Sequence, residues 1–290
     1  MKKTIFYLLI GVIYCGTIFA QETTEKKEDK PVRSPFEHGW LIDDQTGVVP
    51  EKGLLEMVIQ HRFGMMDNGF SDLFGIYSPG ANIRLALNYT FFKNVQIGYG
   101  LTKKNMYSDF SVKWTIFEQT RSGSKPVSLT LFGNMAIDGR NKDQLGINYT
   151  FPSRLSYFSE IIVGRKFTDW LTIQVHGGFV HYNIVAENHD HDQIGAGISG
   201  RIKISSLSSL FFQYDTPFNL ASMTKNTPET SLPKPNLGLG YEVSTGYHAF
   251  QVYLTTSSGI LPQENYMFNL NDFTEGEVML GFTITRLFGL

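Results

Sequence analysis

The chain has 290 residues, with 25 Lys and Arg against 27 Asp and Glu and a net charge of −2, a balance that excludes the basic face nucleic-acid binding needs. Its 28 Gly, 23 Phe and 14 Tyr beside only 18% charged residues point to β-structure with close backbone approaches and aromatic surfaces. The single cysteine, Cys15, excludes a disulfide framework.

At the N-terminus, Lys2 and Lys3, an apolar run from Ile5 to Ile18, and Ala20 form the three-part layout of a secretory signal peptide, residues 1–20, with the mature chain starting at Gln21. A membrane anchor is the alternative, but the run is short for a span of about 20 residues and no stop-transfer pattern follows. Val12, Ile13 and Tyr14 lack the small side chains that lipid modification of Cys15 would need. Removing Lys2 and Lys3 leaves 23 basic residues against 27 acids, a net charge of about −4. Residues 21–35, with Glu22, Glu25, Lys26, Lys27, Glu28, Asp29 and Lys30, are read as a disordered periplasmic leader ahead of a β-domain over 36–290.

From Phe36 onward no helical period persists; alternation does. Leu55, Met57, Ile59 and Phe63 oppose Glu56, Gln60 and Arg62. Ile83, Leu85, Leu87 and Tyr89 oppose Asn82, Arg84, Ala86 and Asn88. Phe110, Val112, Trp114 and Ile116 oppose Ser111, Lys113 and Thr115, and Val127, Leu129 and Leu131 oppose Ser128 and Thr130. Further along, Ile194, Ala196, Ile198 and Ile202 oppose Gln193, Ser199, Arg201 and Lys203, and Leu237, Leu239, Tyr241 and Val243 oppose Gly238, Gly240 and Glu242. One face is oily and the other wet, over the roughly ten residues that a tilted strand needs to cross a bilayer.

About 12 such segments begin near Leu54, Ala81, Val95, Asp109, Val127, Arg154, Leu171, Gln193, Ser209, Asn236, Tyr247 and Glu277. Long connections (64–80, 138–153, 186–192, 216–235, 257–276) alternate with short ones, as external loops and periplasmic turns do in outer-membrane barrels. Two connections depart from the rule: 101–108 is short where a long loop belongs, and 119–126 long where a turn belongs. A periplasmic β-sandwich also alternates. Strand length, the loop pattern and aromatics at strand ends (Tyr89, Phe91, Phe92, Phe167, Trp170, Tyr247, Phe288) favour an all-β, transmembrane, antiparallel up-and-down β-barrel in the outer membrane. Such a barrel contacts outer-membrane lipid.

The last segment places Val278, Leu280, Phe282, Ile284 and Phe288 on one face and Met279, Gly281, Thr283 and Thr285 on the other, a terminal strand of the kind barrel-assembly machinery reads. Arg286 interrupts its apolar face and Leu290, not an aromatic residue, ends it. Closure is expected against the segment starting at Leu54. Pro35-Phe36-Glu37, Val58-Ile59-Gln60-His61-Arg62-Phe63-Gly64, Gly133 to Asp138, Arg154-Leu155-Ser156-Tyr157-Phe158, Pro233-Lys234-Pro235-Asn236-Leu237, His248-Ala249-Phe250-Gln251, and Met267-Phe268-Asn269 with Asn271-Asp272-Phe273 resemble a β-barrel family of unknown function common in Bacteroidota. That resemblance runs from about residue 33 to the end; it implies a barrel in the outer membrane and brings no activity.

Candidate chemistry is sparse. His189-Asp190-His191-Asp192, with His176 and His181 before it, could hold a zinc or copper ion through His189 and His191; a solvated external loop is the alternative. None of the seven histidines has a serine two residues on, so an outer-membrane hydrolase is disfavoured, and neither an enzyme nor a cofactor is expected. Gly98, Gly100, Gly195, Gly197, Gly238 and Gly240 lack the strand-to-helix context of a phosphate loop and are read as lumen positions where curvature needs small residues. The lumen face is expected to carry Glu56, Arg62, Arg84, Lys113, Glu160, Lys166, Arg201, Lys203, Asp215 and Glu242, six basic against four acidic. These either line a narrow pore for small solutes with mild anion preference, the reading adopted, or pair into a salt-bridged plug in a closed structural or docking barrel.

Overall fold

The computed structural model describes residues 29–146 and 149–289; the expected signal peptide lies outside them. Twelve described strands close a barrel in simple meander order. They are β3 (Leu54–Met65), β4 (Asn82–Phe92), β5 (Val95–Thr102), β6 (Tyr107–Phe117), β7 (Ser128–Ile137), β8 (Leu155–Lys166), β9 (Leu171–Tyr182), β10 (Asp192–Lys203), β11 (Ser208–Pro217), β12 (Asn236–Thr245), β13 (His248–Thr255) and β14 (Met279–Gly289). The ring closes where β14 pairs antiparallel with β3, from Gly289 opposite Leu54 to Met279 opposite Met65, so the expected closure holds. No described helix is long and apolar enough to cross a membrane.

Alternation sets the two faces. Leu85, Leu87, Val112, Trp114, Ile161, Val175 and Leu239 point outward and are exposed, forming the band that lipid covers, while Glu56, Gln60, Arg62, Arg84 and Lys113 point inward and are buried. Phe91, Phe92, Phe167, Trp170 and Tyr247, all exposed, ring the short-turn end. The inner face is less polar than the alternation suggested. Phe132, Phe158, Ile162, Val180 and Tyr182 also face inward and form one apolar cluster, because a non-barrel element packs on them.

Two such elements fill the lumen. From the short-turn end, residues 36–48 enter as a finger whose tip is a two-stranded hairpin, β1 (Trp40–Leu41) paired with β2 (Asp44–Gln45). From the long-loop end, the β13–β14 connection inserts helix α1 (Pro262–Phe268), started by a proline in its first turn. Tyr266 stacks on Phe158 at 5.6 Å and Met267 joins the same cluster. The finger packs Phe36, Leu41 and Ile42 on Phe211 and Tyr253, and Trp40 on Val58 and Ala86.

The anomalous long turn at 118–127 has a structural reason. Val32 N donates to Gln119 O at 2.8 Å and Arg121 N to Lys30 O at 2.8 Å, so the turn serves as an added edge for the incoming chain. Residues 29–32, within the stretch read as leader, are held there.

The β3–β14 seam is testable. Leu55 and Phe288 are directly opposed, and antiparallel partners about 4.5–5.5 Å apart lie within disulfide range. A Cys15→Ser, Leu55→Cys, Phe288→Cys chain is expected to cross-link on oxidation, read as altered migration of the unfolded chain; Leu55→Cys with Tyr241→Cys should not.

Candidate functional site

The six basic residues expected in the lumen gather on the N-terminal segment. Arg62 bonds Asp43 at 2.6 Å and also donates to the carbonyls of Ser257 and Gly259. Arg84 binds Asp109 in a bidentate pair (Nε to Oδ1 3.0 Å, Nη2 to Oδ2 2.6 Å) and lies over the Trp40 ring at 5.1 Å. Lys113 Nζ donates to Gly39 O at 3.3 Å and Lys166 Nζ to Arg33 O at 2.9 Å. Arg201 bonds Glu37 at 2.6 Å and donates to Ser34 O, and Lys203 reaches the same Glu37 at 3.4 Å. Every one of the six basic residues therefore touches the N-terminal segment.

The acids are placed differently. Glu56 accepts from Asn88 and Gln96, and Glu242 from Gln251, whose amide also donates to Trp40 O at 3.0 Å. Asp215 bonds His176 at 2.7 Å, with Glu160 3.9 Å from the same ring. Neutral amides complete the grip: Gln60 donates to Ile42 O, Gln174 to Gln45 O, and Gln213 accepts from Asp43 N. Buried backbone polar groups must find partners, and the finger, having few strand neighbours, finds them on wall side chains.

Glu37, Asp43 and Asp44 are the site residues that sequence reasoning missed. The stretch Phe36-Glu37-His38-Gly39-Trp40-Leu41-Ile42-Asp43-Asp44 mixes buried aromatics and acids with no period, a signal compatible with insertion but not specific for it.

Ile42 is left-handed (φ 58°), a conformation costly for a β-branched residue. Packing holds it: the residue is fully buried, and a Cβ on Gly238 would lie 2.4 Å from its Cδ1. Gly195 makes the same room for the Tyr266 ring. At these positions the lumen glycines admit a neighbouring side chain, a more specific reason than curvature.

At the long-loop end, a cavity of about 480 Å³ is lined by Tyr107, Asp138, Arg140, Arg154, Tyr182 and Phe268. A second, of about 250 Å³, opens at the short-turn end beside Phe36, Glu37 and Val48. Finger and helix lie between these two ends.

The 189–192 stretch is engaged locally. His191 Nδ1 bonds Tyr182 O at 2.6 Å and its ring stacks on His181, which bonds Asp192 at 2.6 Å. Asp190 accepts from the amide and side chain of both Asn226 and Thr227, tying two external loops together. His189 and His191 do not fall in a group of three ligand atoms among the described residues; Asp44, His176 and Asp215 do.

The chain belongs to the family of membrane-bound β-barrel domains of unknown function designated DUF5777, which matches residues 36–288. It is an outer-membrane β-barrel. Among solved structures it is similar to an outer membrane channel from Pseudomonas putida F1 (9% identity, 86% of this chain and 100% of that chain, TM-score 0.56) and to the NanC porin (9%, 81% and 99%, 0.48). The likeness to the Pseudomonas channel is one of fold. No curated protein matches the sequence.

Two outcomes follow. Arg62→Met leaves Asp43 buried without its partner and is expected to weaken finger seating by about 3–5 kcal/mol, with most of the loss recovered in Arg62→Met, Asp43→Asn, as read by proteolysis within 36–48. Burial raises the Asp190 carboxyl, but hydrogen bonds from Asn226 and Thr227 outweigh it and hold it below its usual range. A group lowered on folding stabilises above its ordinary value of about 4 and loses that effect as the pH falls through the lowered value. A nitroxide at Lys225→Cys should therefore be ordered near neutrality and sharpen in acid, and be mobile throughout in Asp190→Asn.

Proposed function

We propose that the protein is a plugged channel for small solutes, whose path opens when residues 36–48 leave the lumen. The observation that carries this reading is the grip itself: all six basic wall residues touch the N-terminal segment, through ion pairs, single hydrogen bonds and one ring contact that can be undone one by one without breaking a strand. With the finger withdrawn, Arg62, Arg201 and Lys203 lose Asp43 and Glu37, and the exposed lumen becomes more positive. That favours anions.

The dense packing supports a second reading, a permanently closed barrel that acts through its outer loops. Conductance separates the two. In planar bilayers the full mature chain is expected to give rare, small ion steps, and a variant lacking residues 36–48 steady steps with a reversal potential set by the anion. Absence of steps from both, in protein with barrel circular dichroism and heat-modifiable migration, would overturn the channel.

A further inference from the structure

His176, on β9, is fully buried in the lumen between three carboxylates that reach it from three other strands. Its Nε2 lies 2.7 Å from Asp215 Oδ1 on β11 and 3.9 Å from Glu160 Oε1 on β8. Its Nδ1 lies 3.7 Å from Asp44 Oδ2 on the finger strand β2, beyond hydrogen-bond range. His176 Nδ1 and Asp44 Oδ2 are both buried without a hydrogen-bond partner, and they face each other. Neighbouring cations are engaged elsewhere, Arg62 with Asp43 and Lys113 with Gly39 O. Gly197 lets the pair lie directly against the wall: a Cβ there would come within 2.2 Å of His176 Nε2 and 2.3 Å of Asp215 Oδ1.

Three acids around one imidazole, away from water, need a counter-charge, and unpaired polar atoms in such a place are costly. We propose that Asp44, His176 and Asp215 bind one divalent transition-metal ion of the zinc class, with Glu160 at the edge of the set. One ligand atom from each of the three lies within 4.8 Å of the others. Ligands on a tetrahedral zinc at about 2.0–2.2 Å are separated by about 3.4 Å, so the ion would open the 2.7 Å contact between His176 and Asp215 and draw Asp44 round to the same ring nitrogen. Imidazole with carboxylates suits zinc and its neighbours, and no thiolate is present to select Cu(I). Binding needs an imidazole nitrogen with its lone pair free.

The ion would join β2 of the finger to β9 and β11 of the wall. It would bind the seated finger and not the withdrawn one, and so favour the seated state in proportion to its concentration. This holds whether or not the lumen conducts.

The test uses the mature chain refolded into detergent with ZnCl₂, freed of loose metal by gel filtration and assayed for zinc by mass spectrometry. About one zinc per barrel is expected, with proteolysis within 36–48 slowed by zinc and restored by chelator. Asp44→Asn, which sits on the finger and leaves the barrel strands intact, and His176→Gln should each weaken zinc binding at least about 10-fold. The His189→Ala, His191→Ala double variant should bind as the parent does. Zinc-free parent protein, zinc retained in Asp44→Asn, or zinc lost in the loop double variant would each overturn the assignment.

Discussion

Twelve strands close a cylinder wider than its own inward side chains can fill, and what the lumen contains follows from how that space is occupied. Water is one solution. Here the occupants are two pieces of the same chain, a finger from one end and a helix from the other. The wall is correspondingly divided: an apolar patch of Phe132, Phe158, Ile162 and Val180 receives the helix, and a cationic and amide-rich surface receives the finger.

This division decides where charge sits. An arginine aimed into a protein-filled lumen must be paired, and Arg62 and Arg201 take partners that lie before the first barrel strand. Arg84 pairs within the wall, to Asp109 on β6, and uses its face on Trp40. Pairing inside the wall shapes the barrel, whereas pairing to the finger positions an occupant, so the two kinds of arginine have different consequences although their sequence contexts look alike.

The strands were legible because a period of two writes itself into consecutive residues, as in Ile83 to Tyr89, and loop lengths confirmed the order. The inward, buried positions of Glu56, Arg62, Arg84 and Lys113 follow from the same period. The partners of the charged lumen residues were not legible. Glu37 and Arg201 are 164 residues apart, and no local pattern links them. Alternation also cannot say whether an inward aromatic such as Phe158 meets water or a helix, since Tyr266 comes from a loop more than 100 residues on. His176 was visible as a histidine near an external loop; its burial beside Asp44 depends on a finger whose sequence has no period to read.

The finger's path has a topological consequence. Residues 30–33 lie along the 118–127 turn, the tip at Ile42 reaches Gly238, and Gly53 N has returned to Thr90 O at the end of β4, beside the next short turn. Both feet of the finger therefore stand on the same rim. Among the described residues the finger enters and leaves at one rim without crossing to the other, so within 30–53 nothing has to be unthreaded for it to leave or to return. A pull on the residues ahead of Pro31 would act first on the edge pairing with that turn and only then on the ion pairs deeper in, peeling the contacts in sequence instead of shearing them together.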